Sequence, residues 1–302
     1  MCQGLTWNMP LPMPALDDAE ASAVPAGLYV FDAHVHLFPP RVFEAIWRWF
    51  GTNAWPIRYT LYAEQTIAFL RDRGVQRMIG LHYAHTPGMA RALNRFAAEL
   101  ARYPEVIPFG TVLPGEPEAE AIVTEAFEEL GLRGLKLHCH VQQFAPDDRR
   151  LDPIYALCAR HNRPIVIHSG REPSLPAYKA DIHSLCAVDR VRRVLERHPD
   201  VTIVVPHLGA DEIVGYAELL AEFPNLWLDT TMMLADYFPQ KPARELFEVW
   251  GHRLLYGSDF PNLPYAWDRE LKHLVAMGLP AETTAAIAGR NADRLFGVSD
   301  IC

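Results

Sequence analysis

Apolar residues in this chain gather in short runs, many of them β-branched, that recur from about residue 28 onward. Eight such runs can be counted: LYVFDAHVH, VQRMIGLHY, VIPFGTV, LRGLKLH, RPIVIHS, VTIVVPH, NLWLDTT and RLLYGSD. Their length and composition read as strands. Between them lie stretches with apolar residues every three or four positions, such as AEQTIAFLRDRG, GMARALNRFAAELARYP, EAEAIVTEAFEELG, LDPIYALCARHN, VDRVRRVLERHPD and ADEIVGYAELLAEFP. Several close on Gly or Pro, as helix ends do. Eight strand–helix alternations predict an α/β fold, a parallel (β/α)8 barrel of the TIM type. The competing open doubly wound sheet would need a glycine-rich nucleotide-binding turn, and none follows any run.

No internal repeat or low-complexity linker interrupts residues 27–302, so this span reads as one barrel domain. Residues 1–26 are rich in Pro, Ala and acidic side chains without a period, and read as an extension lying on the surface or against a partner subunit. At 302 residues the chain is long enough for such a barrel, and 50% hydrophobic content with 22% charged excludes disorder. The net charge of −9, with no basic cluster, disfavours nucleic acid as a partner. Cys2, Cys139, Cys158, Cys186 and Cys302 are odd in number and scattered, which suits reduced thiols in a cytoplasmic protein. Neither a signal peptide nor a membrane span is legible, so no membrane partner is expected. A small-molecule substrate is expected, and a homodimer fits base rates.

In a barrel the catalytic groups stand at the C-terminal ends of the strands. Here run one ends in Asp32, Ala33, His34, Val35 and His36, run four in Lys136, Leu137 and His138, run five in His168, run six in His207 and run eight in Asp259. Side chains alternate along a strand, so His34 and His36 share a face that Val35 opposes. By the same parity Lys136 and His138 oppose Leu135 and Leu137, and Val166 and His168 face inward opposite Ile165 and Ile167.

His34, His36, His168 and Asp259 supply three nitrogens and an oxygen, a set that suits one divalent metal with an open position for water. Such a mixed set suits Zn²⁺ first, with Mn²⁺ and Fe²⁺ as the other candidates. His207 would stand beside it as general acid or base, and Asp259 could itself take a proton from the water. A lone histidine ending a strand is usually structural, but four such endings on separate strands are harder to dismiss. Lys136 could pair with a carboxylate, hold a substrate anion or be carbamylated between two metals. Arg171, three residues beyond His168, is placed to grip a substrate carboxylate, against the default of a solvated loop arginine. His138 is a candidate substrate contact; His140, His82 and His85 lie near the same rim. Trp47, Trp49, Phe50 and Trp55 could wall a pocket, with helix packing as the safer reading.

At these residues the chain resembles the amidohydrolase superfamily, and within it the amidohydrolase-related branch that includes aminocarboxymuconate-semialdehyde decarboxylase. The resemblance spans roughly residues 30–297 and rests on FDAHVHLF, GLRGLKLHCHVQQFAPDDRRLDPIYALCARHNRPIVIHSG, VVPHLGADE, LLYGSDFP and GRNADRLFG. It implies a distorted barrel with a single divalent metal, usually zinc, held by His34, His36, His168 and Asp259, and His207 as acid or base. Binuclear members of the superfamily carry a carbamylated lysine on strand four, which this branch generally does not use. The branch holds hydrolases of C–N, ester and lactone bonds as well as non-oxidative decarboxylases. Hydrolysis of a small carboxylated substrate by a metal-activated water ranks first, because Asp259 and His207 beside such a water make a complete hydrolytic set. Decarboxylation of an aromatic-derived acid ranks second. A metal-free binding or scaffold barrel is a third reading, and the intact ligand set argues against it.

Overall fold

The structure, a computed structural model, describes residues 19–172, 177–178, 180–238 and 240–297. Its strands are β1 (Phe31–His36), β2 (Arg77–Leu81), β3 (Val106–Pro108), β4 (Leu135–His138), β5 (Ile165–His168), β6 (Ile203–Val205), β7 (Leu226–Asp229) and β8 (Leu254–Leu255). Each falls in one of the eight runs expected from the sequence. All neighbours pair in parallel, as β1-β2-β3 and β4-β5-β6-β7-β8.

Two seams join these groups into a ring. At one, Gly110 bridges Leu135, with the Gly110 N–H donating to the Gly134 carbonyl at 2.8 Å and the Lys136 N–H to the Gly110 carbonyl at 2.7 Å. At the other, Val35 bridges Phe260; the His36 N–H donates to the Phe260 carbonyl at 2.8 Å and the Asp259 N–H to the His34 carbonyl at 2.9 Å. The barrel is distorted because β3 and β8 are short and these bridges replace full ladders.

The main helices between strands include Pro40–Asn53, Ala63–Asp72, Ala90–Leu100, Ala119–Glu128, Asp152–Arg160, Val188–Arg197 and Ile213–Glu222. In Ala90–Leu100 the buried residues are Ala90, Leu93, Asn94, Ala97 and Leu100, the three-to-four spacing of one helix face. Two apolar layers result. Ile165, Ile167, Ile203, Val205 and Leu254 point outward to the helices. Val166, Val204, Trp227 and Leu255 point inward, and Phe296 from the last helix closes the lower end against Phe31 and Phe109. In β1 the register shifts between Asp32 and Val35. That shift separates the lumen-filling part, Phe31 and Ala33, from the part that carries His34 and His36.

The described end of the N-terminal extension lies on the outside of the barrel. The Ala21 N–H donates to Asp268 at 2.8 Å, the Val24 N–H donates to the Arg73 carbonyl at 2.7 Å, and Glu20 pairs with Arg58 at 3.2 Å. Residues 1–18, with Cys2, and residues 298–302, with Cys302, fall outside the described residues. Cys139, Cys158 and Cys186 are buried free thiols. Among the described residues no helix is long and apolar enough to cross a membrane.

Candidate metal centre and cleft

The strand ends converge on a cleft at the C-terminal rim of the barrel. His34 Nε2 lies 3.4 Å and His36 Nε2 3.0 Å from Asp259 Oδ1, so two imidazoles meet one carboxylate oxygen. All three side chains are nearly or fully buried. Gly257 permits this approach between β8 and β1: a Cβ there would sit 2.9 Å from the His34 Cβ and 2.3 Å from Thr231 Oγ1. Asp259 itself adopts φ of 68°, a left-handed conformation costly for a residue with a side chain and common where a site is over-determined by its surroundings.

Asp229, at the end of β7, fixes the chemistry of His34. Its Oδ2 lies 2.9 Å from His34 Nδ1, and its Oδ1 accepts the N–H groups of His207 and Thr231, each at 3.1 Å. Burial lowers His34 to about 4, with Lys136 adding to the effect, so the ring is neutral near pH 7 and carries its proton on Nδ1. Nε2 is then a bare lone pair facing Asp259. Burial alone would push Asp229 up, but His34 outweighs it and holds the carboxyl near 2. Asp259 likewise stays well below the usual carboxylate range despite burial, because His36 hydrogen-bonds it and His36, His34 and His207 surround it. An ionised carboxylate beside a lone pair with no proton to offer is the electrostatic signature of a cation seat, and this N, N, O donor set fits a divalent ion.

His168, the expected fourth ligand, belongs to a neighbouring group. Its Nε2 contacts Glu172, whose Oε1 also lies 3.3 Å from His207 Nε2 and whose Oε2 lies 3.5 Å from His140 Nδ1. His138 stacks on His168 at 3.9 Å between ring centres. Burial raises Glu172, yet His168, His207 and His140 overcome this and keep it ionised. The two groups adjoin through His207, whose ring centre is 4.6 Å from that of His168 and 5.8 Å from that of His34. His207 Nδ1 lies 2.9 Å from the Thr231 carbonyl, an acceptor only, so Nδ1 carries a proton and Nε2 points toward Glu172 and the cleft.

Two other expected site residues stand elsewhere. Lys136 is fully buried below the cleft, its Nζ 3.2 Å from His34 Nε2, and burial lowers its ammonium to about 8. It therefore touches the same lone pair that a cation would take and does not line the cleft. Arg171 is directed away: its Nε donates to the His183 carbonyl at 3.2 Å and faces Glu212 at 3.5 Å, because its backbone is bridged to Ala210. That guanidinium does not reach the cleft. His82 is buried with its Nε2 3.4 Å from Asn94, and His85 is exposed; neither lines the cleft.

The cleft is narrow, about 60 Å³, and its outer walls are aromatic: Trp49, Phe50, Trp55, Tyr83, Tyr178 and Phe238. Trp47 stacks on Phe43 instead, as helix packing. Among the described lining residues none is Lys or Arg. Asp229 and Glu172 went unassigned in the sequence. Asp229 ends an apolar run just as His168 does, so the signal was present; Glu172 lies in a loop, where strand parity is silent.

The amidohydrolase family profile matches residues 31–298. The chain belongs to the amidohydrolase family. Similar solved structures include an uncharacterised TIM-barrel protein from Bordetella bronchiseptica, 21% identical, covering 89% of this chain and 99% of that one, with a TM-score of 0.70. The 2,6-dihydroxybenzoate decarboxylase from Rhizobium is 16% identical, covering 91% and 99%, with a TM-score of 0.64. The 5-carboxyvanillate decarboxylase from Novosphingobium aromaticivorans, complexed with manganese and 4-hydroxy-3-methoxy-5-nitrobenzoic acid, is 16% identical, covering 94% and 99%, with a TM-score of 0.65. No curated protein matches this chain significantly. At these identities the likenesses establish the (β/α)8 fold that the amidohydrolase family shares.

Proposed function

We propose that this amidohydrolase-family protein is a metal-dependent, non-oxidative decarboxylase of an aromatic acid. The observation that carries the reading is the pairing of a flat-walled aromatic cleft with the His34, His36 and Asp259 cluster at its base. The decarboxylases among its structural relatives support the same choice and reverse the ranking that placed hydrolysis first. A divalent ion held by His34, His36 and Asp259, with His168 alongside, would supply positive charge that fixes the oxygens of the acid. Manganese and zinc both suit these ligands, and the manganese in the Novosphingobium decarboxylase structure makes it the first to test.

The chain's own residues supply the rest. Trp49, Phe50 and Trp55 would hold the ring by its faces and exclude water. His207, fixed by Thr231 and backed by Glu172, would deliver a proton from Nε2 to the ring carbon that bears the carboxylate. The carbon–carbon bond then breaks, CO2 leaves, and the bonding pair restores the aromatic ring. Incubation of the manganese-supplemented protein with hydroxylated benzoic acids, followed by CO2 release and product identification, tests the reading. Turnover of lactones or amides with no CO2 from any aromatic acid would return hydrolysis to first place.

A further inference from the structure

One polar group on the cleft wall has no part in the chemistry above. Asn262 is 2% exposed and lines the cleft three residues beyond Asp259, yet its Oδ1 has no hydrogen-bond partner in the protein. Its backbone is held on both sides: its N–H donates to the Asp259 carbonyl at 3.1 Å, and its carbonyl accepts the Trp55 indole N–H at 2.9 Å. That second bond uses the only polar side-chain atom of Trp55, so this wall offers aromatic faces and an unpaired carboxamide oxygen. Burying an amide without a partner is unfavourable, and an unpaired buried polar group on a cleft wall calls for a partner that a bound ligand can supply.

We infer that Asn262 is the specificity-determining residue of the cleft, its carboxamide accepting a hydrogen bond from a hydroxyl on the ring of the aromatic acid. This inference rests on the aromatic-acid reading proposed above. A site built to pair a hydroxyl discriminates against the analogue that lacks it, because the analogue leaves the buried group unpaired.

Calorimetric titration of the manganese-supplemented protein with benzoate and with the 2-, 3- and 4-hydroxybenzoates tests it. The wild type is expected to favour one hydroxybenzoate over benzoate by about tenfold or more, the size of one hydrogen bond to a buried group. In Asn262→Leu that preference is expected to fall to within about twofold, since no acceptor is left to discriminate. Asn262→Ala gives the same comparison should the leucine variant fail to fold, and melting temperature with metal content shows that each variant keeps its site. An unchanged preference in a folded variant would overturn the assignment. Equal binding of all four acids by the wild type would also overturn it while leaving the aromatic-acid reading intact. Binding of none of them would bring down that reading and the role of Asn262 together.

Discussion

His34 and Asp229 form a polar contact beneath the cleft, with Nδ1 and Oδ2 2.9 Å apart and both side chains wholly buried. The carboxylate comes from the seventh strand and the imidazole from the first, so the pair reaches past the short β8 that lies between them. It also fixes which ring nitrogen is bare. A hydrogen-bonded carboxylate behind a ligand histidine sets the tautomer and raises ligand basicity, and loss of such partners typically weakens metal binding by about 10–100-fold. Asp229→Asn is therefore expected to lower manganese affinity by about that factor. Competition with a chelator, on protein of unchanged circular dichroism, measures it.

The cation seat itself gives a sharper outcome. His34→Ala and Asp259→Ala each remove a converging donor and are expected to lose metal and turnover together. Elemental analysis of the unchelated protein against both variants checks this, and full metal content in either would refute the ligand assignment. Added manganese should raise the melting temperature of the wild type, because a ligand that binds only the folded state stabilises it by mass action.

His207 separates binding from chemistry. With Nδ1 tied to Thr231 and Nε2 directed to the cleft, it is placed to move a proton without being part of the His34, His36 and Asp259 group. His207→Ala is expected to keep its metal while kcat drops by roughly 10²–10⁴-fold, the usual contribution of a positioned acid or base. Metal analysis and CO2 release on the same sample decide it.

Arg171 is engaged by Glu212 and the His183 carbonyl outside the cleft. Arg171→Ala should consequently change the KM for an aromatic acid by less than about twofold, whereas loss of a bidentate grip on a carboxylate would cost far more. Steady-state kinetics on the variant tells the two apart.

Glu212 carries a pH dependence of stability. It is largely buried, accepts the Val188 N–H at 3.0 Å, and burial raises its carboxyl to about 7 against the pull of Arg171, with Asp211 and Asp189 adding to the rise. The folded state thus holds a proton that the unfolded chain releases near its ordinary value. That stabilisation is fully present below the unfolded carboxylate range and is lost as pH rises through about 7. The wild type should melt a few degrees lower at pH 8 than at pH 5 from this group alone, and Glu212→Gln should flatten that part of the curve. Calorimetric melts of both proteins across this range provide the check.

Much of the site was legible because strand parity is a local property. His34, His36 and His168 end apolar runs; alternation places His34 and His36 on one face and directs His168 inward, as Val166 and Ile167 confirm from opposite sides of β5, while the register shift in β1 is what turns the face of His34 and His36 inward beyond Phe31 and Ala33. The same rule applied to NLWLDTT would have found Asp229. Glu172, Asn262 and Tyr178 could not be found this way, because a loop residue has no period and its neighbours are set by how strand ends meet. Arg171 shows the converse: three residues from His168 in sequence, it is turned out by one backbone bridge to Ala210.

The sequence by itself determined the eight strands, the helices between them, the barrel they form and the imidazoles that end its strands, since periodicity and side-chain type act over a few residues. Only the tertiary structure decided which of those imidazoles share a carboxylate. His34 and His36 meet Asp259 across the seam between first and eighth strands, while His168 turns to Glu172, and these partnerships depend on ring closure and on loop paths that no local pattern encodes.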